Sequence, residues 1–86
     1  MPSYLLELYL PHAGCAQASE SARTVAEQAA RRGPGVRHVR TLYVAEDETC
    51  FHVFEAPSRG ALLEAARDAG LTDVRVTEAV QSDGAV

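Results

Sequence analysis

A histidine stands in the middle of a segment whose pattern predicts a β-strand. His52 lies within residues 49–58, TCFHVFEAPS, where aromatic and β-branched residues favour a strand, Pro57 ends it and Ser58 suits the start of a helix. An imidazole changes its charge close to neutral pH and binds metals through a ring nitrogen. His52 is therefore the first candidate for proton transfer and for metal binding.

A glutamate in the first strand pattern offers a partner for this histidine. We expect the strands that hold Glu7 and His52 to be neighbours, with both side chains on the sheet face away from the helices. The pair would then serve as an acid–base couple or as two metal ligands. The alternative is a histidine buried at a subunit interface, where Glu7 or Tyr43 satisfies its hydrogen bonds. Three aromatic residues are candidates for ligand binding on that face: Tyr9, Tyr43 and Phe54.

The elements that must position these residues follow the order βαββαβ. The patterns predict strands at residues 4–10, 36–44, the first half of 49–58 and 73–80, with helices from residue 16 or 19 to 32 and from 58 to 69. Right-handed crossovers then give a ferredoxin-like α+β fold, in which a four-stranded antiparallel sheet carries two helices on one face. Residues 1–80 form this single domain, and residues 81–86 form a flexible C-terminal tail.

The helix-free face of this sheet is expected to be too apolar for a stable monomer. Six residues of the first and third strands are predicted to lie there: Leu5, Glu7, Tyr9, Cys50, His52 and Phe54. A short turn at Glu46 and Asp47 would pair Thr41 with His52 and Tyr43 with Cys50, which brings two more residues to this face. A second copy of the chain, packed sheet on sheet as in dimeric α+β barrels, would cover the face and enclose a cavity.

Composition excludes several classes of function. The chain has twelve acidic and eight basic residues, a net charge of −4, which argues against nucleic acid as a partner. All eight basic residues are arginine, so lysine Schiff-base chemistry and P-loop phosphate binding are excluded. No apolar run approaches the ~20 residues that span a bilayer, so we expect a cytoplasmic chain without a membrane partner. The two cysteines are expected to be reduced thiols.

Weaker candidates receive a structural interpretation. His12 and Cys15 have ligand-like spacing but no matching second pair. His38 is expected at the surface, opposite to His52, unless a bulge in the second strand reverses it. Cys50 is expected to be a buried, inert thiol. Four arginines are expected to form a solvated basic cluster: Arg31, Arg32, Arg37 and Arg40.

Several short motifs together resemble one protein family. They are Leu10-Pro11, Gly35-Val36, Tyr43-Val44 with Glu46-Asp47, Glu55-Ala56-Pro57-Ser58, residues 65–71 (AARDAGL) and Thr77-Glu78. From residue 4 to 80 the chain is similar to small bacterial ferredoxin-like proteins, long classed as a domain of unknown function, whose structurally described member is a nickel-binding protein of actinobacteria. The resemblance implies a ferredoxin-like fold, a homodimer and, as a possible cofactor, nickel.

The positions where the chain departs from that family bear on the metal. Many family members carry Cys at the position of His52 and often His at the position of Ala66, and some carry His within the first strand. Because imidazole also suits nickel, the resemblance implies His52 as a metal ligand, whereas Ala66 removes one. We therefore expect weak nickel binding, or none, at physiological concentrations, with any remaining site using His52.

Two functions stay open from the sequence. The first is a homodimer that binds a nickel-type metal or a small ligand at the helix-free sheet face. The alternative is a small cofactor-free enzyme (a cyclase, isomerase or monooxygenase of a natural-product pathway) in which His52 and Glu7 perform acid–base chemistry. A regulatory or structural partner without a pocket is a third possibility, because a fold by itself does not select a function.

Overall fold

The computed structural model describes residues 1–11, 15–32, 35–71 and 73–82, with the side chains of residues 15 and 32 left out. The elements are, in chain order, β1 (Ser3–Tyr9), α1 (Cys15–Arg32), β2 (Arg37–Val44), β3 (Thr49–Glu55), α2 (Arg59–Asp68) and β4 (Val74–Ala79). This is the predicted order βαββαβ. His12 and most of the predicted C-terminal tail lie outside the described residues.

The four strands form one antiparallel sheet in the order β2-β3-β1-β4, with β1 and β3 at its centre. This confirms the predicted ferredoxin-like α+β fold. A single 3-10 turn, Ala45–Asp47, and a left-handed Glu48 connect β2 to β3. Because this connection has four residues, Thr41 pairs with His52 and Tyr43 pairs with Cys50, as the sequence predicted.

Both helices cover the sheet through small side chains. The face of α1 that points to the sheet consists of Ala18, Ala22, Val25 and Ala29, all buried, and α2 contributes buried Leu62, Ala65 and Ala66. Alanine-rich faces let a helix approach the sheet closely, so that the strand side chains fill the space between the layers.

The ends of α2 are fixed by local chemistry. The Ser58 hydroxyl accepts a hydrogen bond from the Ala61 amide at 3.1 Å, which is the predicted N-cap. At the other end Gly70 has φ +86°, and the amides of Gly70 and Leu71 donate to the carbonyls of Arg67 and Ala66. This is the Schellman pattern, in which glycine adopts the left-handed conformation without strain.

Two motif residues that lie far apart in the sequence meet at the start of β2. Gly35 has φ +119°, and a Cβ atom added there would lie 3.2 Å from the Pro57 ring. A side chain at position 35 would therefore be strained by its backbone conformation and crowded by Pro57. The contact ties the segment before β2 to the segment that ends β3.

The predicted facing of β3 is wrong. Tyr4, Leu6 and Leu8 of β1 are buried beneath the helices, and their partners in register are Phe54, His52 and Cys50. Directly paired residues of an antiparallel ladder share one face, so these β3 residues also face the helices. The helix-free face instead carries Phe51, Val53 and Glu55 beside Leu5, Glu7 and Tyr9.

The helix-free face has an apolar centre and charged margins. Leu42 and Val44 of β2 pair with Phe51 and Thr49 and lie on this face, 55% and 38% exposed. Tyr9 is 59% exposed. At one margin the Arg37 guanidinium donates to the Glu55 carboxylate at 2.7 and 3.0 Å.

Candidate functional site

His52 is buried in the middle of the helix-covered face, with both ring nitrogens hydrogen-bonded to hydroxyl groups. It is 0% exposed, and a polar ring buried from water requires hydrogen-bond partners within the protein. Nε2 lies 2.7 Å from Ser21 Oγ of α1, and Nδ1 lies 2.7 Å from Thr41 Oγ1 of β2. The sheet places Thr41 beside His52 through the β2–β3 register, and the close approach of α1 brings Ser21 onto the ring.

The hydrogen-bond partners of Ser21 and His52 identify which atom donates and which accepts in each bond. The Ser21 hydroxyl donates to the Ala18 carbonyl at 2.7 Å, which uses its only proton. Ser21 Oγ therefore accepts from His52 Nε2–H, and in a neutral ring Nδ1 is left to accept from the Thr41 hydroxyl. This assignment of the tautomer follows from the hydrogen-bond pattern.

His38 extends the hydrogen-bonded chain toward the surface. The β-bulge between His38 and Arg40 turns His38 to the helix-covered face, so the expectation of a surface residue opposite to His52 is wrong. His38 Nε2 lies 2.8 Å from Thr41 Oγ1, and its ring packs against His52 and Phe54 at centroid distances of 5.7 and 5.3 Å. Since the Thr41 proton is already donated to His52, His38 Nε2–H is the donor in this contact.

Burial controls the protonation of the two groups at the centre of this cluster. Burial, together with the charge of His38, lowers the pKa of His52 to about 4, so the ring is neutral at pH 7. Burial also raises the pKa of the Cys50 thiol to about 11. Cys50 Sγ lies 3.4 Å from His52 Nε2 and is a free, buried thiol, in agreement with the predicted inert role.

Ser21, at one end of the hydrogen-bonded series of side chains, lines a cleft at the protein surface. Ser21 is half-buried and lines a depression of about 350 Å³ between α1 and the segments that follow β1 and α2. The other lining residues are apolar on one side and polar on the other: Leu10, Ala69 and Leu71, and Gln17, Glu20 and Thr24. A small molecule in this cleft would therefore contact a hydroxyl that is hydrogen-bonded directly to His52.

The structure separates the residues that the sequence grouped into one site. Glu7 pairs with Phe51 and lies on the helix-free face, whereas His52 pairs with Leu6 on the opposite face. The expected Glu7–His52 couple on one face is therefore wrong. Phe54 is buried next to His52 and not on the helix-free face.

The two candidate tyrosines also lie on opposite faces. Tyr43 faces the helices, and its hydroxyl donates to the Leu10 carbonyl at 3.0 Å. Tyr9 lies on the helix-free face and donates to the Glu48 carboxylate at 3.2 Å. That hydrogen bond and the charge of Glu48 raise the pKa of Tyr9.

Glu7 and Tyr9 meet at a second depression, at the end of β1 on the helix-free side. It has a volume of about 250 Å³, and its remaining lining residues are Leu8, Thr49, Asp73, Val74 and Arg75. Arg75 is the register partner of Glu7 on β4. This depression thus combines one cation, two carboxylates and a phenol. Glu7 and Tyr9 are the two residues of the predicted site that the structure keeps together.

Ser21 and its role escaped prediction although the sequence carried a signal. Ser21 lies three residues after Ala18 and four before Val25, so helical spacing places it on the buried face of α1. A hydroxyl among alanines on such a face indicates a polar partner on the sheet. Thr41 was correctly paired with His52, but it was expected on the helix-free face and its hydrogen bond to His52 was not predicted.

The hydrogen bonds of His52 limit its ability to bind a metal. Within residues 1–11, 15–32, 35–71 and 73–82, no group of three or more His, Cys, Asp or Glu side chains is placed to hold a metal ion. Both nitrogens of His52 already bind hydroxyl groups at 2.7 Å. A metal at this ring would have to displace Ser21 or Thr41.

Comparison with known proteins assigns neither a family nor a function to this site. No protein-family model matches the chain, and no curated protein matches it. In the part of the chain that the structure describes, no helix is both long enough and apolar enough to cross a membrane.

Proposed function

We propose that this chain is a homodimer that packs through its helix-free sheet faces and binds a small polar ligand beside that interface. The observation that carries the proposal is the exposure of Tyr9, Leu42 and Val44 on one face, around half-buried Leu5 and Phe51. Apolar clusters of this kind mark interaction surfaces. A chain of 86 residues also gains from a partner, because small domains bury a modest share of their surface.

The ligand position in this proposal is the depression that contains Glu7 and Tyr9. Its neighbours Asp73 and Arg75 add charges of both signs, which suits a small molecule that carries both an ammonium and a carboxylate group. A second sheet packed on the adjoining apolar surface would shield these charges from water and strengthen their interactions. This keeps the predicted helix-free site and replaces His52 by residues that lie on that face.

The nickel form of the hypothesis requires a different ligand set from the one that the resemblance implies. In the depression at the end of β1 the carboxylate donors are those of Glu7 and Asp73, which are hard ligands that nickel binds less well than imidazole. At His52 a metal competes with two short hydrogen bonds. The expected result is weak nickel binding or none at micromolar metal, in either place.

The enzymatic alternative keeps His52 and loses Glu7 as its partner. A specific observation favours it, since His52 is neutral, buried and hydrogen-bonded to a serine that lines a cleft. Acid–base chemistry by this histidine would therefore act through the helix-covered side and not through a cavity between two sheets.

Amide NMR spectra of the wild type, titrated with free L-amino acids as zwitterionic probes and separately with nickel, test the ligand proposal. Amino-acid binding should shift the signals of Glu7, Thr49 and Arg75, and Arg75→Gln should weaken the apparent affinity at least tenfold. Arg67→Gln, on the exposed side of α2, is the matched control and should leave it unchanged. Shifts confined to α1 and α2, or full binding by Arg75→Gln, would refute this position for the ligand.

The nickel titration tests the metal hypothesis separately. Tight nickel binding that survives His52→Ala and Glu7→Gln would show that the metal uses other ligands.

A further inference from the structure

The four side chains His38, Thr41, His52 and Ser21 form one continuous hydrogen-bonded chain across the helix-covered side of the sheet. Its three links measure 2.8, 2.7 and 2.7 Å and join β2, β3 and α1. His52 is fully buried, whereas His38, Thr41 and Ser21 are each half-buried. These hydrogen bonds thus connect the half-buried side chains of β2 to the half-buried Ser21 of α1 through the buried ring of His52.

Every link in this chain has the same polarity. His38 Nε2–H donates to Thr41, Thr41 donates to His52 Nδ1, His52 Nε2–H donates to Ser21, and Ser21 donates onward to the Ala18 carbonyl. A histidine that only needs its hydrogen bonds satisfied requires a donor and an acceptor, and it does not require that both continue to the surface. A chain of uniform polarity is the arrangement through which a proton can pass by successive transfers.

We propose that these four residues form a proton relay that makes the Ser21 hydroxyl the acid–base group of a small-molecule site in the cleft between α1 and the segments after β1 and α2. An imidazolium at His38 gives its Nε2 proton to Thr41 Oγ1, and the Thr41 proton passes to His52 Nδ1. The Ser21 hydroxyl turns from the Ala18 carbonyl to the bound molecule and gives its proton to an acceptor atom there, while the His52 Nε2 proton passes to Ser21 Oγ. One positive charge moves from His38 to the ligand, only O–H and N–H bonds change, and no electron is transferred.

The lining of the cleft indicates the class of ligand. Leu10, Ala69 and Leu71 provide an apolar wall, and a volume of about 350 Å³ admits a small compound. Ser21 must meet a lone pair, so the compound carries an acceptor such as a carbonyl or an imine. Glu20, on the same rim, places a carboxylate next to the cation that protonation creates.

Among the ionisable groups around the relay, His38 is the residue suited to supply its proton. On the helix-covered side, β3 contributes Cys50, whose raised pKa keeps it protonated, and β2 contributes Tyr43, which donates to a backbone carbonyl. β1 contributes buried Tyr4, α1 contributes Glu20 at the cleft, and the described part of α2 that faces the sheet is apolar. This site lies on the opposite side of the sheet from the proposed dimer interface and does not depend on it.

The exchange of the His52 Nε2 proton with solvent distinguishes a relay from a structural hydrogen bond. Removing this proton from a neutral ring would leave an imidazolate, unless Nδ1 gains a proton from Thr41 in the same event. Thr41→Val should therefore slow the exchange at least tenfold in ¹⁵N-histidine NMR spectra. Thr77→Val is the control, because Thr77 is exposed on β4, pairs with Leu5 on the helix-free face and lies outside both the relay and the cleft, so it should leave the exchange rate unchanged.

Two further variants keep the test decisive if Thr41→Val folds poorly. His38→Gln retains a donor to Thr41 but cannot carry an extra proton, so it should slow exchange to a similar extent. Ser21→Ala closes the other end and should slow it as well. If Thr41→Val and His38→Gln leave the exchange unchanged, or accelerate it as a loss of stability would, the hydrogen bonds are structural and the relay is wrong. Slowing by Ser21→Ala alone would equally overturn it, since exchange would then use the cleft only.

Discussion

The two faces of the sheet differ in how completely their side chains are partnered. On the helix-covered face Leu6, Phe54 and His52 are fully buried, and among the described residues every buried side-chain polar atom has a hydrogen-bond partner. On the helix-free face Leu42 and Tyr9 are more than half exposed, and the ion pair between Arg37 and Glu55 is open to water. The helix-covered face is a closed core that contains a hydrogen-bonded polar network, whereas the helix-free face leaves apolar and aromatic side chains exposed.

This difference shows that apolar alternation identifies a strand but not its inner face. In β3 one alternating set contains Cys50 and Phe54 and the other contains Phe51 and Val53, and both sets are apolar. A sheet that is covered on both sides, by helices on one and by a second subunit on the other, would require such a sequence. The composition of β3 is thus itself an argument for a partner on the helix-free face.

The largest effect is expected from truncating one phenylalanine on each face. Phe54→Ala removes a fully buried ring and should lower the free energy of unfolding by about 3–5 kcal/mol. Phe51→Ala, the matched change on the helix-free face, should cost less than half as much at low protein concentration, and its cost should rise with concentration because it also weakens assembly. Urea unfolding at several concentrations measures both. Equal, concentration-independent losses would remove the distinction between the faces.

Acidification should destabilise the helix-covered face through His52. The folded pKa of about 4 lies below the ordinary value of 6.5, so the unfolded chain binds more protons between these values and stability falls as pH decreases from 6.5 to 4. The full effect is on the order of 3 kcal/mol.

Comparing two proteins at two pH values separates the contribution of His52 to the pH dependence of stability from that of the carboxylates. Unfolding free energies of the wild type and of His52→Gln are measured at pH 7 and pH 4.5, and the loss on acidification should be smaller in the variant. An identical loss in the two proteins would mean that His52 titrates normally in the folded state.

The sequence predicted the fold because local signals fixed each element. The N-cap at Ser58, the left-handed Gly70 and the four-residue connection before β3 all act within a few residues, and together they determine the helix end and the pairing of Thr41 with His52. Which side of β1 meets which side of β3 is a long-range property, because α1 and β2 separate the two strands in the chain.

The candidate site was predicted only in part, for the same reason. His52 was identified by its chemistry, but its assignment to the side of Glu7 assumed a pairing that no local turn determines. The register couples Leu6 to His52, so once Leu6 faces the helices the histidine must follow. His38 was reversed by a bulge, which the irregular apolar pattern of β2 indicated without locating it.

A charge on the helix-free face should weaken assembly by a moderate amount. Leu42→Arg places a cation at the exposed apolar centre and should raise the dimer dissociation constant at least tenfold, equivalent to about 1.4 kcal/mol. Val80→Arg makes the same change at a residue that is 97% exposed just beyond β4, and it should have no effect. Sedimentation velocity at graded concentrations gives both constants. Comparable weakening by the two variants would point to a general charge effect.

The smallest effect is expected from the ion pair on the helix-free margin. Arg37→Gln removes a guanidinium that is 65% exposed and should change the free energy of unfolding by about 0–1 kcal/mol, because water and salt screen such pairs. Thermal melts of the wild type and the variant at low and high salt measure it. A loss above about 2 kcal/mol would show that this margin is buried, as it would be deep inside an interface, and would enlarge the contact surface beyond the apolar centre.

Light scattering of the wild-type chain at micromolar concentration tests the central claim, that the helix-free face is completed by a second copy. The account predicts a mass of about twice 9.2 kDa, and a shift toward the single-chain mass for Leu42→Arg under the same conditions. A wild-type mass of one chain, with a cooperative unfolding transition that does not depend on protein concentration, would contradict it.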